Sequence, residues 1–186
     1  MLTFIKMKKN LQRTIELPQG FQSKLEKNIL TISGNNKQVK KEFKLRKIKL
    51  ESLENKIKIF CENSSRRESK VIGTTWAHIN NMIKGLQEPF IYQLEICNNH
   101  FPMSVKLEGN KVIIKSLLGE KKERFAKILP NVDVKINANQ ITVTSDNIES
   151  AGQTAANLEK ATKITNRDRR IFQDGIYITE KCGRKI

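Results

Sequence analysis

The chain has 186 residues, enough for one or two domains. Its hydrophobic content of 38% and mean hydropathy of −0.51 exclude a disordered polar chain. Lys and Arg total 35 against 19 Asp and Glu, a net charge of +16, so the expected partner is a polyanion, either nucleic acid or an anionic membrane. No run reaches the ~20 apolar residues of a membrane span. Cys61, Cys97 and Cys182 show no CxxC spacing, which argues against a disulfide scaffold and a cysteine-bound zinc.

The opening stretch MLTFIKMKKN lacks the apolar core of an export signal, so the expected compartment is cytoplasmic. Further on, the chain repeats itself. Lys24-Leu25-Glu26-Lys27-Asn28 recurs as Lys106-Leu107-Glu108-Gly109-Asn110, an offset of 82 (24 to 106). Each copy leads into a β-branched run, Ile29 to Ile32 and Val112 to Ile114. A glycine follows (Gly34, Gly119), then a basic run ending in Phe43 or Phe125. Ile57-Lys58-Ile59-Phe60 matches Ile141-Thr142-Val143-Thr144, an offset of 84 (57 to 141). Turn residues precede each, Glu54-Asn55 and Asn137-Ala138-Asn139. The near-constant offset predicts a duplicated unit of several short strands and one helix.

The first helix is expected from about Glu68 to Leu86. Its apolar stripe is Val71, Ile72, Thr75, Trp76, Ile79, Met82, Ile83 and Leu86. Trp76 and Met82 read as core, Gly85 as the terminator and Pro89 as the stop. The second helix is expected after Asp146 as N-cap, burying Ile148, Ala151, Ala155, Leu158 and Thr162. Gly85 to Pro89 reads as a linker between domains at 1–87 and 88–186. The fold class is α+β, two tandem copies of an antiparallel β-sheet packed on one helix.

Chemistry is poorly represented. His78 and His100 stand alone in the sequence, and neither a phosphate-binding nor a dinucleotide fingerprint occurs. Catalysis, metal, cofactor and small-molecule substrate are therefore not expected. Basic clusters are prominent instead. Lys37, Lys40, Lys41, Lys44, Arg46, Lys47 and Lys49 fall in the first repeat, and Lys121, Lys122, Arg124 and Lys127 in the matching place of the second. The segment from Ala161 to Lys181 is the most specific. It carries Lys163 and three arginines, Arg167, Arg169 and Arg170, whose guanidinium forks suit phosphates, and closes with Lys181. Phe172 and Tyr177 flank Asp174-Gly175, read as a sharp turn. RNA-recognition and KH signatures are missing, so folded RNA read by shape and phosphate is the expected ligand.

This segment resembles the signature of a universal large-subunit ribosomal protein family, number six in bacterial naming and nine in eukaryotic naming. So do His78-Ile79-Asn80-Asn81-Met82-Ile83-Lys84-Gly85, His100-Phe101-Pro102-Met103, Leu117-Leu118-Gly119-Glu120-Lys121 and Gly152-Gln153-Thr154-Ala155-Ala156-Asn157. The wording is nearest the archaeal members. The resemblance implies two tandem sheet-and-helix copies and no enzymatic activity. It implies a place on large-subunit rRNA beside the sarcin–ricin loop, near the factor-binding region and the ribosomal proteins of the stalk base. It also implies rRNA contact mainly by the second domain, carried over to Lys163, Arg167, Arg169, Arg170, Phe172, Asp174, Gly175 and Tyr177. Two places depart from the family: Ser33-Gly34-Asn35-Asn36 replaces a Gly-Pro-x-Gly loop, and Glu88-Pro89-Phe90 replaces a Gly-aromatic continuation. A free-standing RNA-binding assembly factor is the rival reading.

Overall fold

The computed structural model describes residues 9–35, 37–53 and 55–186. The opening stretch 1–8, Asn36 and Glu54 lie outside the described residues. The chain divides into two compact units, the first ending at Glu88 and the second starting at Pro89.

The first unit comprises β1 (Lys9–Glu16), β2 (Gln22–Glu26), β3 (Ile29–Gly34), β4 (Lys37–Glu42), β5 (Lys49–Leu53), β6 (Lys56–Ser64) and α1 (Arg66–Gln87). Its strands form two antiparallel sheets, ordered β2-β3-β4 and β1-β6-β5. The second unit comprises β7 (Phe90–Cys97), β8 (Ser104–Glu108), β9 (Lys111–Lys115), β10 (Arg124–Lys127), β11 (Asp133–Asn137), β12 (Gln140–Ser145), α2 (Ile148–Ala161), β13 (Gly175–Lys181) and β14 (Arg184–Lys185). Its sheets are β10-β9-β8 and β11-β12-β7-β13-β14. The duplication is therefore real: β8-β9-β10 repeats β2-β3-β4, and β7-β12-β11 repeats β1-β6-β5. The second copy adds β13 and β14 on the far side of β7.

The hairpin turns match in detail. Lys27 and Gly109 occupy the same left-handed position, with φ of 55° and 56°. The sequence match of Phe43 with Phe125 is corrected by the register. The Phe43 N–H donates to Asn28 O (2.8 Å), and the Ile128 N–H donates to Asn110 O (3.0 Å). Ile128 is thus the partner of Phe43, and both are buried. Phe125 lies three residues earlier, on the outer side of β10, and is 67% exposed.

Each unit has its own apolar core. Alternation along β3, β6 and β12 sends Leu30, Ile32, Ile57, Ile59, Ile141 and Val143 inward, all fully buried. On α1 the buried stripe is Ile72, Thr75, Ile79, Met82, Ile83 and Leu86. Trp76 is not part of it. One residue turns a helix by about 100°, and Thr75 already holds the inward position, so the indole lies 39% exposed beneath the Arg13 guanidinium, 5.5 Å from its ring centre. Gly85 is likewise a buried helical residue and not a terminator. The helix ends at Glu88, whose extended backbone (φ −137°, ψ 129°) is what a following proline imposes.

The second helix is capped by Asn147, one residue later than expected: its side-chain oxygen accepts the Glu149 N–H at 3.0 Å. Ala151, Thr154, Ala155 and Leu158 face inward. Beside them Gly152 packs close to β7, where an added Cβ would lie 3.0 Å from the Tyr92 hydroxyl.

Trp76→Ala is expected to cost about 1–2 kcal/mol of first-unit stability, less than loss of a fully buried indole, because part of the ring already meets water. Ile79→Ala, at a fully buried position, should cost ~2–5 kcal/mol. Denaturant titration of the two variants checks this ordering.

Candidate nucleic-acid interface

The basic segment leaves the end of α2 and returns as β13, and its two ends are tied down. Thr162 caps the helix, and its hydroxyl donates to Glu159 O (3.1 Å) while accepting the Ile176 N–H (3.0 Å). Lys163, Arg167, Arg169, Arg170 and Ile171 are exposed on the loop between. The loop is itself ordered by Asp168, whose carboxylate accepts the Arg170 N–H (2.9 Å) and whose carbonyl accepts the Phe172 N–H (2.9 Å).

The other end is held by a buried carboxylate. Asp174 Oδ1 accepts the backbone N–H groups of Asn99 (2.7 Å) and His100 (2.9 Å), and Oδ2 meets His100 Nδ1 at 2.6 Å. Burial pushes the Asp174 carboxyl up, but the donors from His100 and Asn99 outweigh it and hold the group below its ordinary value. His100 is therefore not isolated, as the sequence reading had it. Phe172 stacks on its ring, with centroids 5.0 Å apart, and the Arg167 guanidinium lies 4.8 Å from the Phe172 ring centre. Arginine, phenylalanine, histidine and aspartate thus form one column from surface to interior.

Asp174-Gly175 is not a sharp turn. The carboxylate is satisfied by the end of β7, and Gly175 opens β13 opposite Cys97. Its φ of +155° favours glycine, and an added Cβ would lie 3.4 Å from both the Thr162 hydroxyl and the Tyr177 ring. Asp174 and Gly175 are both buried. Tyr177 is half-buried and lines a groove of about 340 Å³ with Lys160, Lys163 and Arg169.

Arg124 is engaged within the protein. Its guanidinium grips both oxygens of Glu120 (2.8 and 2.6 Å) and donates to the carbonyls of Ala161 and Lys163 (3.1 Å each). It secures the end of α2 and leaves little for a ligand. The hydrogen bond from Arg124 holds the Glu120 carboxyl below the usual range, against partial burial, and the charges of Arg124 and Arg167 add to it. Lys121 and Lys122 are exposed just before β10, and Lys181 is exposed where β13 meets β14.

In the first unit Lys37, Lys40, Lys44, Arg46, Lys47 and Lys49 are exposed, whereas Lys41 Nζ lies 3.1 Å from His78 Nδ1. Asn35, in the loop that departs from the family pattern, donates to Leu86 O at the end of α1 (3.1 Å). Among the described residues no His, Cys, Asp and Glu group could hold a metal ion, and no helix is long and apolar enough to cross a membrane.

Fold and site together define a duplicated α+β protein that presents a pinned, arginine-rich segment on its second copy. A family profile described as "Ribosomal protein L6" matches residues 17–88 and 101–175. The chain is 43% identical over 176 residues to the large ribosomal subunit protein uL6 of Methanosarcina mazei, covering 95% of this chain and 100% of that protein. It is 40% identical over 176 residues to the protein of the same name from Methanococcus vannielii, covering 95% and 97%. The chain belongs to the ribosomal protein L6 family, and both of these relatives are archaeal.

Because Asp174 titrates below its ordinary 3.8 in the fold, its stabilising effect is complete above that pH and lost as pH falls through the lower folded value. Amide-exchange protection at His100 and Ile176 should therefore drop in acid. Asp174→Asn should lower this protection already at neutral pH and abolish the acid-dependent step; an unchanged acid profile in the variant would place the response elsewhere.

Proposed function

We propose that this protein is a structural, non-enzymatic constituent of the large ribosomal subunit. In this reading Lys163, Arg167, Arg169 and Arg170 hold large-subunit rRNA, with Lys121, Lys122 and Lys181 as outlying phosphate contacts. The observation that carries the reading is the exposure of three arginines on a loop fixed at both ends, since a preorganised guanidinium loses little freedom on meeting a phosphate. The net charge of +16 and the large-subunit names of the two relatives support it. The protein then acts in the cytoplasm within the ribosome. Its contact is with rRNA beside the sarcin–ricin loop, close to the factor-binding region and the proteins of the stalk base, where it braces the RNA.

Phe172 and Tyr177 contribute through what they position, Phe172 beneath Arg167 and Tyr177 along the groove with Arg169. Asp174, Gly175 and Arg124 act on the scaffold.

Combined Arg167→Ala, Arg169→Ala and Arg170→Ala should weaken binding to purified large-subunit rRNA and reduce the slope of log affinity against log salt by about two to three. The same variant should be lost from large subunits on a sucrose gradient. Arg124→Ala should lower the melting temperature and leave the salt slope unchanged. Equal slopes for wild type and the triple variant would end the assignment of these arginines to phosphates.

A further inference from the structure

The three-stranded sheet of the second unit has one face on the core, where Val112, Ile114 and Ala126 are buried. Its other face is defined by the register. One cross-strand row is Phe125, Ile113 and Lys106; the next is Lys127, Lys111 and Glu108. Phe125 is 67% exposed at the edge of this sheet, with Lys111 Nζ 5.5 Å from its ring centre.

A single exposed aromatic is ordinarily unremarked surface. Here the duplication supplies an internal control. In the first unit the matching rows are Lys40, Thr31 and Lys24, then Glu42, Ile29 and Glu26. That face carries two lysines against two glutamates and no aromatic ring. The second carries three lysines against one glutamate and a phenylalanine, while a further lysine, Lys115, is occupied by Glu123. Both copies build the same sheet, so folding requires neither the ring nor the cationic excess. A flat π surface among ammonium groups matches the two parts of a nucleotide, its base and its phosphate.

We propose that the outer face of β8-β9-β10 is a second RNA-binding surface, on which Phe125 stacks against an unpaired base and Lys106, Lys111 and Lys127 hold neighbouring phosphates. The proposal rests on the reading of the protein as an rRNA binder and adds a surface to it. It lies on strands and uses other residues than the C-terminal loop, and its stacking component does not depend on salt. The two surfaces are therefore separable by experiment.

The test titrates the full-length protein and its variants with purified large-subunit rRNA at several salt concentrations. Phe125→Ala should weaken binding about tenfold with an unchanged salt slope, and Phe125→Trp should restore it. Combined Lys106→Ala, Lys111→Ala and Lys127→Ala should lower the slope by about three. Melting temperatures close to wild type confirm that the exposed ring was not holding the fold. If Phe125→Ala binds like wild type while the arginine variant is impaired, this surface is overturned and the C-terminal assignment stands. If wild type itself shows no salt-dependent rRNA binding, the broader reading falls first. A photoreactive benzoylphenylalanine at position 125, irradiated in assembled large subunits, should cross-link to rRNA. Cross-linking to a protein instead would make this face a protein interface and overturn the proposal.

Discussion

The second unit turns on one buried carboxylate. Asp174 has almost no contact with water, so its charge must be met inside the protein, and it is met by two backbone N–H groups and the His100 ring. Those donors sit just beyond β7, so satisfying the carboxylate fixes where the returning chain starts β13. The same constraint sets the orientation of His100, hence of the stacked Phe172, hence of Arg167. A surface arginine is thereby placed by an interaction buried several residues away in sequence. Removing one of these donors is costly, because the buried carboxylate is left short of a hydrogen-bond partner.

The duplication separates what the fold demands from what the site demands. Positions shared by both copies are the inward residues of the central strands, the left-handed hairpin turns and the inner helix stripe. Features found in one copy only are the added strands β13 and β14, the column under Arg167 and the exposed ring of Phe125. The first copy is a scaffold with a mixed-charge sheet. The second is the same scaffold with two added strands, an arginine-rich loop and an exposed ring on its outer sheet face.

Much of this was legible in the residues. Period-two alternation located β6 and β12, β-branched runs marked β3 and β9, and helical spacing located both helices, since burial patterns repeat locally and need no knowledge of the fold. The arginine-rich segment was visible as composition. Side-chain direction over a single helical step was not: Trp76 and Thr75 compete for one inward position, and hydrophobicity alone favours the wrong one. The partners of Asp174 and Arg124 were also hidden, because each pairing crosses from the C-terminal segment or helix end to a distant strand or loop. The fragment around His100 was noticed as a family likeness, yet nothing in its spacing revealed that it receives Asp174. The slip between Phe43 and Phe125 has a similar origin, since identical residue types aligned where hydrogen-bond register did not.

The addition of β13 to β7 also has a cost in time. β7 is a central strand, but the neighbour on one of its sides is encoded after α2, so that edge stays open while the ribosome translates from Cys97 to Gly175. At ordinary rates of synthesis this is on the order of ten seconds. Throughout that interval an apolar strand bearing Tyr92, Leu94 and Ile96 offers unpaired backbone groups to any passing chain. The nascent protein therefore keeps this edge open until its arginine-rich loop has been made, and the strand that covers it is the one that brings that loop into place.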